Sequence, residues 1–317
     1  MATKRVQKPA AVKHRDVEQR VEAAVLAAGP IAVVRIIGEE TPLAFRSRDA
    51  LLLVPGQLAT LVIAKRWSAP GMDVAEGHVE FARIDISRLG LEPLALDGPN
   101  VENMQEVHEN YVDPSDPYTA LWQRATSRPR EVWEFDGIAW GAFPGADPEE
   151  NLGVDAVELH EAGDAAGARE LLHAALVGDL RCLDAHAHLG AWLFDRSPER
   201  ALVHYEIGTR IGELSAPESF DGLLPWGLIY NRPFLRCLHG YALCLWRLRR
   251  IHDAKRMFER MLALNPVDNQ GARFCWSDIC AGGSWEEMDQ RERRAEREMQ
   301  HQMAAARRQA RSKKRVN

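Results

Sequence analysis

The chain has 317 residues, 46% hydrophobic and 27% charged, enough for two domains or for one domain plus an array, with ample apolar content for a core. No apolar run approaches the roughly 20 residues that span a bilayer. The start, MATKRVQKPAAVKHRD, leads into no apolar core or small-residue cleavage site of a secretory signal. The five cysteines (Cys182, Cys237, Cys244, Cys275, Cys280) are odd in number and form no C-x-x-C pair. That suits reduced thiols in a cytoplasmic protein, not a disulfide framework or a zinc ribbon.

The net charge of −6 is unevenly spread. From Gln290 onward ten Lys/Arg face three Glu, and residues 1–20 hold six Lys/Arg against Asp16 and Glu18, which leaves a strongly acidic body between basic ends. Such ends are ordinarily solvated tails, and they are also where a nucleic-acid partner would be held.

In chain order, residues 1–29 read as a basic N-terminus followed by a helix. Val17, Val21, Ala24, Val25 and Ala28 fall at helical spacing, and Gly29-Pro30 ends the run. The chemistry then changes. IAVVRII (31–37), ALLLV (50–54), QLATLVIAK (57–65) and HVEFARIDI (78–86) read as strands separated by turn residues, with Pro55-Gly56 a tight connection. A small antiparallel, barrel-like β domain over 30–97 is the expectation. Between 98 and 146 the periodicity dissolves into DPSDPY, SRPRE and AFPGADP, yet Tyr111, Tyr118, Trp122, Trp133, Phe135 and Trp140 supply rings. A bare linker would lack them, so this junction is expected to pack between the two parts.

From 147 the chain reads as helical. Asp147-Pro148 with Glu150, and Ser197-Pro198-Glu199, are helix-start signals. With a 34-residue period beginning at Glu149, Leu159, Gly163 and Ala168 take positions 11, 15 and 20. A second unit from Leu183 gives Leu189, Gly190, Ala201 and Tyr205. A third from Leu235 gives Tyr241, Ala242, Ala254, Phe258 and Pro266. Small residues at positions 8 and 20 and large ones at 7, 11 and 24 are the packing pattern of a tetratricopeptide repeat (TPR), which this segment resembles. A fourth unit over 269–299 opens its last helix with the capping box Ser284-x-x-Glu287 and carries Glu292 where Phe258 stood, as a polar closing unit would. About 20 extra residues lie within an insertion, 211–233, and the basic tail is 300–317. The stretch LLPWGLIYNRPFLRCLHGYALCLWRL is also similar to an uncharacterised group of bacterial TPR proteins. The implied fold class is α+β and multidomain: a small antiparallel β domain followed by an α-helical TPR solenoid.

That resemblance places partner-facing residues at set positions of each first helix. In unit two they include Asp184 and Asp195, and in unit three Arg236, His239, Leu243, Trp246 and Arg247. Arg and Trp anchor interfaces most often because they combine large area with directional contacts. The insertion is the competing occupant of this groove. The Lys/Asn/Arg clamp by which some TPR proteins grip a terminal carboxylate is absent: its positions read Glu150, Gly153, Val154 and Val157, then Asp184, Ala187, His188 and Ala191.

His186-x-His188 invites a metal reading, but residues two apart on a helix diverge. Cys237 and Cys244 share a face and read as core thiols. No nucleophile, base or phosphate loop accompanies His160, His173 or His204. The sequence therefore suggests a non-enzymatic cytoplasmic adaptor binding a protein or peptide, without cofactor, metal or membrane span. The alternative is a nucleic-acid-associated protein using the β domain and basic termini.

Overall fold

The computed structural model describes residues 18–102, 115, 117–141 and 152–316, with side chains included except at 100–102 and 305–316. The Asp147-Pro148 helix start, Tyr111, and the basic stretch before residue 18 lie outside the described residues.

The first described element is a strand. β1 (Gln19–Ala27) replaces the helix expected over 15–28. Its small and β-branched residues are buried on both faces: Ala23 and Val25 point into the barrel, while Ala24 and Leu26 join the core shared with the helices. A strand covered on both sides shows a continuous apolar run, and here that run happened to match helical spacing. β2 (Ile31–Ile36), β3 (Leu43–Arg46), β4 (Leu58–Ala69) and β5 (Met72–Arg83) follow. They close a barrel in the order β1-β2-β3-β5-β4, which begins at residue 19 and not at 30. β4 returns beside β1, a Greek-key crossover. The sheet is not wholly antiparallel, because β3 runs parallel to β5.

ALLLV also differs from expectation. Arg48–Leu52 is a 3-10 turn whose Ser47 side chain accepts the Asp49 amide. Ala50 and Leu53 plug the barrel while Leu51 and Leu52 face outward. The two-residue turn between Ala69 and Met72 is the tight hairpin, and Pro55-Gly56 instead leads from the 3-10 turn into β4.

The junction has structure of its own. β6 (Leu96–Glu102) pairs antiparallel with β7 (Arg130–Phe135), and α1 (Thr119–Thr126) lies between them in sequence. Tyr118 and Trp122 are buried, and the Tyr118 hydroxyl donates to the Pro266 carbonyl at 3.0 Å, so the junction does pack across the molecule.

Eight more helices follow among the described residues: α2 (Leu152–Glu161), α3 (Ala165–Gly178), α4 (Leu183–Phe194), α5 (Pro198–Gly212), α6 (Arg232–Arg247), α7 (Ile251–Leu264), α8 (Ala272–Cys280) and α9 (Trp285–Val316). Successive helices pack on one another from α2 to α8, and α4 lies beside α6. Close approach is set by small residues. A Cβ added at Gly190 or Gly240 would come within 2.8 or 2.2 Å of the Tyr205 ring, which is held between them. Ala168, Ala201, Ala242, Ala254 and Phe258 are wholly buried, and Leu189 nearly so. Leu159 and Tyr241 are half-buried, and Gly163 turns between α2 and α3 at φ 91°. Asp268 caps α8 by accepting the Ala272 and Arg273 amides at 2.7 and 3.0 Å. Ser284 and Glu287 form the reciprocal box that opens α9.

Barrel and helices share one core. Leu26, Val54 and Leu58 meet Leu176, Leu180 and Ile207. Gly56, at φ 89°, lies so close to α5 that a Cβ would sit 2.5 Å from Ile207 Cγ2 and 3.5 Å from the His186 ring. Beneath this seam His186 and His204 face each other at 6.1 Å, each with an unpartnered Nδ1. Burial pushes the His186 pKa down to about 4 and holds His204 well below its ordinary value; His173 is lowered by burial and by Arg169.

These rings are neutral in the fold but take protons in the unfolded chain below about pH 6.5. The stability they contribute is present above that pH and is lost as pH falls, for His186 toward about 4. Urea midpoints should be flat above neutrality and decline through that window. His204→Leu, which keeps the volume and removes an unpartnered base, should flatten the decline.

Candidate functional site on the face shared by α4 and α6

Asp184, in the first turn of α4, is almost fully buried, with its side chain 3% exposed. One carboxylate oxygen accepts Arg236 Nη1 from α6 at 2.9 Å, and the other lies 3.3 Å from His188 Nε2, one turn along α4. The Arg236 guanidinium sits over two rings, Trp140 at 5.6 Å and Trp226 at 5.7 Å. Arg232 covers Trp226 at 5.4 Å and donates from Nε to the Trp226 carbonyl at 3.0 Å. One turn beyond His188, Trp192 stacks on His160 with centroids 4.3 Å apart and planes 9° from parallel. The result is a row of half-buried aromatic and cationic groups, His160, Trp192, His188, Arg236, Trp226 and Arg232, crossing from α2 to α6.

The remaining anticipated residues sit elsewhere. Trp246 is 1% exposed; its Nε1 donates to the Gly283 carbonyl and its ring meets Trp285 edge-on. Arg247 donates to the Phe194 and Asp195 carbonyls at 2.5 and 3.1 Å and lies over the Phe194 ring. Asp195 is exposed and takes part there through its backbone. His239 packs on Phe258, and burial takes its pKa to about 4; Leu243 packs half-buried on the core. Asp184 and Arg236 thus meet directly, and Trp246, Arg247 and Asp195 form a second group that ties α6 to α4 and α9. Trp246 is a core residue of the fold.

The face is shaped by the insertion, which the structure pins in place. Arg130 at the start of β7 has a side chain only 7% exposed. It donates to four carbonyls: Asp221 at 2.9 Å, Ala125 at 3.2 Å, Ala263 at 2.7 Å and Gly222 at 3.0 Å. Arg260 on α7 holds the carbonyls of Ala216, Pro217 and Phe220. Asn231 accepts the Phe135 amide and donates to Trp133 and Pro225. Leu223 exchanges backbone bonds with β7 on both sides, at 2.7 and 2.9 Å. Trp226 is therefore delivered onto Arg236 by a loop bonded along its length to Arg130, Arg260, Asn231 and β7.

The thiols nearby are poor nucleophiles, since burial raises Cys182 and Cys244 to about 12 and Cys237 well above its ordinary value. Among the described residues no three His, Cys, Asp or Glu converge as metal ligands. Sequence reasoning missed Arg130, Arg232, Trp192 and Asn231. The alternation in REVWEF was a signal for β7, but nothing in it says that its arginine turns inward.

No protein-family model, no curated protein and no solved structure matches this chain.

Arg130→Met would remove the charge-assisted bonds and strand four carbonyls. A loss of roughly 3 kcal/mol or more is expected from denaturant midpoints. Arg130→Lys should recover little, because one ammonium cannot reach all four acceptors.

Proposed function

We propose that the protein is a non-enzymatic cytoplasmic adaptor whose helical hairpins are TPR-type repeats and whose α4/α6 face docks a protein or peptide. The observation that carries this reading is the half-exposed row of Trp192, His188, Arg236 and Arg232 on the first helices of successive hairpins, with Trp226 of the intervening loop laid over the arginines. Rigid aromatic and arginine side chains, already ordered by stacking, lose little entropy when they bind. The small-residue contacts at Gly190, Ala201, Ala242 and Ala254 support the repeat reading. Among the described residues no helix is long and apolar enough to cross a membrane.

The test uses the tagged full chain and compares co-purifying proteins with those of a Trp192→Ala, Arg232→Ala double variant. Partners using this face should fall at least about tenfold, the effect of losing roughly 1.4 kcal/mol of contact. Identical partner sets at equal levels would count against the reading.

One observation favours nucleic acid as a second reading. α9 is a 32-residue helix whose side chains from Asp289 through Ala304, apart from half-exposed Asp289, are exposed. Its last stretch, 305–316, holds six Lys/Arg and no acid in sequence. The barrel argues the other way. Its strand order is that of Greek-key barrels that bind oligonucleotides, yet residues 18–102 hold eight Lys/Arg against twelve Asp/Glu. If the tail holds phosphates, binding to single-stranded RNA should fall steeply with salt and disappear on removing 300–317; salt-independent binding would exclude it.

A further inference from the structure

α9 leaves the body of the molecule after its first turn. Trp285 packs half-buried on the core and Met288 is 4% exposed, whereas every side chain from Gln290 through Ala304 is exposed. The helix nevertheless runs on to Val316, about 42 Å beyond Asp289 at helical rise. In proteins a helix draws most of its stability from packing an amphipathic face.

α9 carries such a face and leaves it open. Ala295 stands seven residues after Met288, with Met299 and Met303 at successive steps of four, so the side of the helix that enters the core continues outward. Met299 is 60% and Met303 53% exposed, two large apolar side chains one turn apart. The charges are divided along the axis. Residues 285–300 hold six Asp/Glu against four Arg, and 301–316 hold six Lys/Arg and no acid. Arg293 pairs with Asp289, while Glu292, Glu296 and Glu298 have no ion pair among the described residues.

We propose that α9 is a dimerisation element whose occupant is α9 of a second copy of this chain, running antiparallel. A two-fold axis level with His301 sets Met299 of each copy opposite Met303 of the other and lays each acidic half along the other copy's basic half. A parallel pair would set the two basic halves side by side. The chain's own segments outside the described residues each answer one half only: residues 1–17 hold five Lys/Arg against Asp16, while 103–114 and 142–151 each hold three Asp/Glu and no Lys/Arg. A nucleic acid would take the basic half, be repelled by the acidic one and leave the methionines in water. The pairing also fits the body, because each helix is anchored only at its start, and overlap of 289 to 313 keeps the two bodies at opposite ends. This interface is separate from the α4/α6 face and stands whether or not that face binds.

Sedimentation equilibrium of the full chain should show a dimer that dissociates on dilution and with added salt. Met299→Glu with Met303→Glu, both at exposed positions, should weaken association at least about tenfold. The urea midpoint of that variant, read at a concentration where both proteins are monomeric, should match the wild type. Orientation is read by oxidising Glu292→Cys and Ala310→Cys chains, whose positions lie level in the antiparallel pair. Mixed, they should form a 292–310 disulfide, and Glu292→Cys alone should form no 292–292 one. A monomer at every concentration, with or without RNA held by 300–317, would overturn the proposal. So would a dimer that keeps its affinity in the double methionine variant, or a 292–292 disulfide, the mark of a parallel pair.

Discussion

The close approach of the Pro55-Gly56 turn to the α4/α5 hairpin is the constraint on which the remaining architecture depends. Only a residue without a Cβ, in left-handed backbone, lets the barrel come down onto Ile207 and His186. That contact places Leu26, Val54 and Leu58 against Leu176 and Leu180 and makes one core from two kinds of layer. It also explains the buried histidines. A polar ring under the seam is tolerated as a neutral group, with Nε2 of His186 matched to the Leu180 carbonyl at 3.2 Å.

With the back of α4 and α5 covered by the barrel, the other side is closed by the chain itself. Arg130, Arg260 and Asn231 act as backbone clamps, each satisfying carbonyls of a loop that forms little regular structure of its own. A guanidinium suits this work because its donors are fixed in a plane and can address several acceptors at once. The outcome is a helical face already lined by Trp140 and Trp226 and only half open, in which Arg236 is held by Asp184 and two rings.

Much of the helical half was legible because its signals are local. Capping boxes and small residues are written in neighbouring positions, and Ser284-Glu287 and Pro198 sit where those signals place them. The barrel was half legible. β2, β4 and β5 announce themselves by β-branched runs, whereas β1 is buried on two sides and loses the alternation that distinguishes strand from helix. ALLLV was misjudged because its apolar residues are divided between a plug and an exposed rim. The candidate face was legible as residue types but not as geometry. Arg236 and Asp184 were named separately, and their pairing, the burial of Trp246 and the arrival of Trp226 depend on contacts spanning up to 133 residues, which no local pattern records.

A shared core should make barrel, clamp and hairpins one cooperative body, and hydrogen exchange read by mass spectrometry across a urea series tests that most directly. Peptides from β1, β4, α4, α6 and the 211–233 loop should lose protection at one common urea concentration. Loss of protection in the barrel at a separate midpoint, with the α4–α6 peptides still protected, would contradict it.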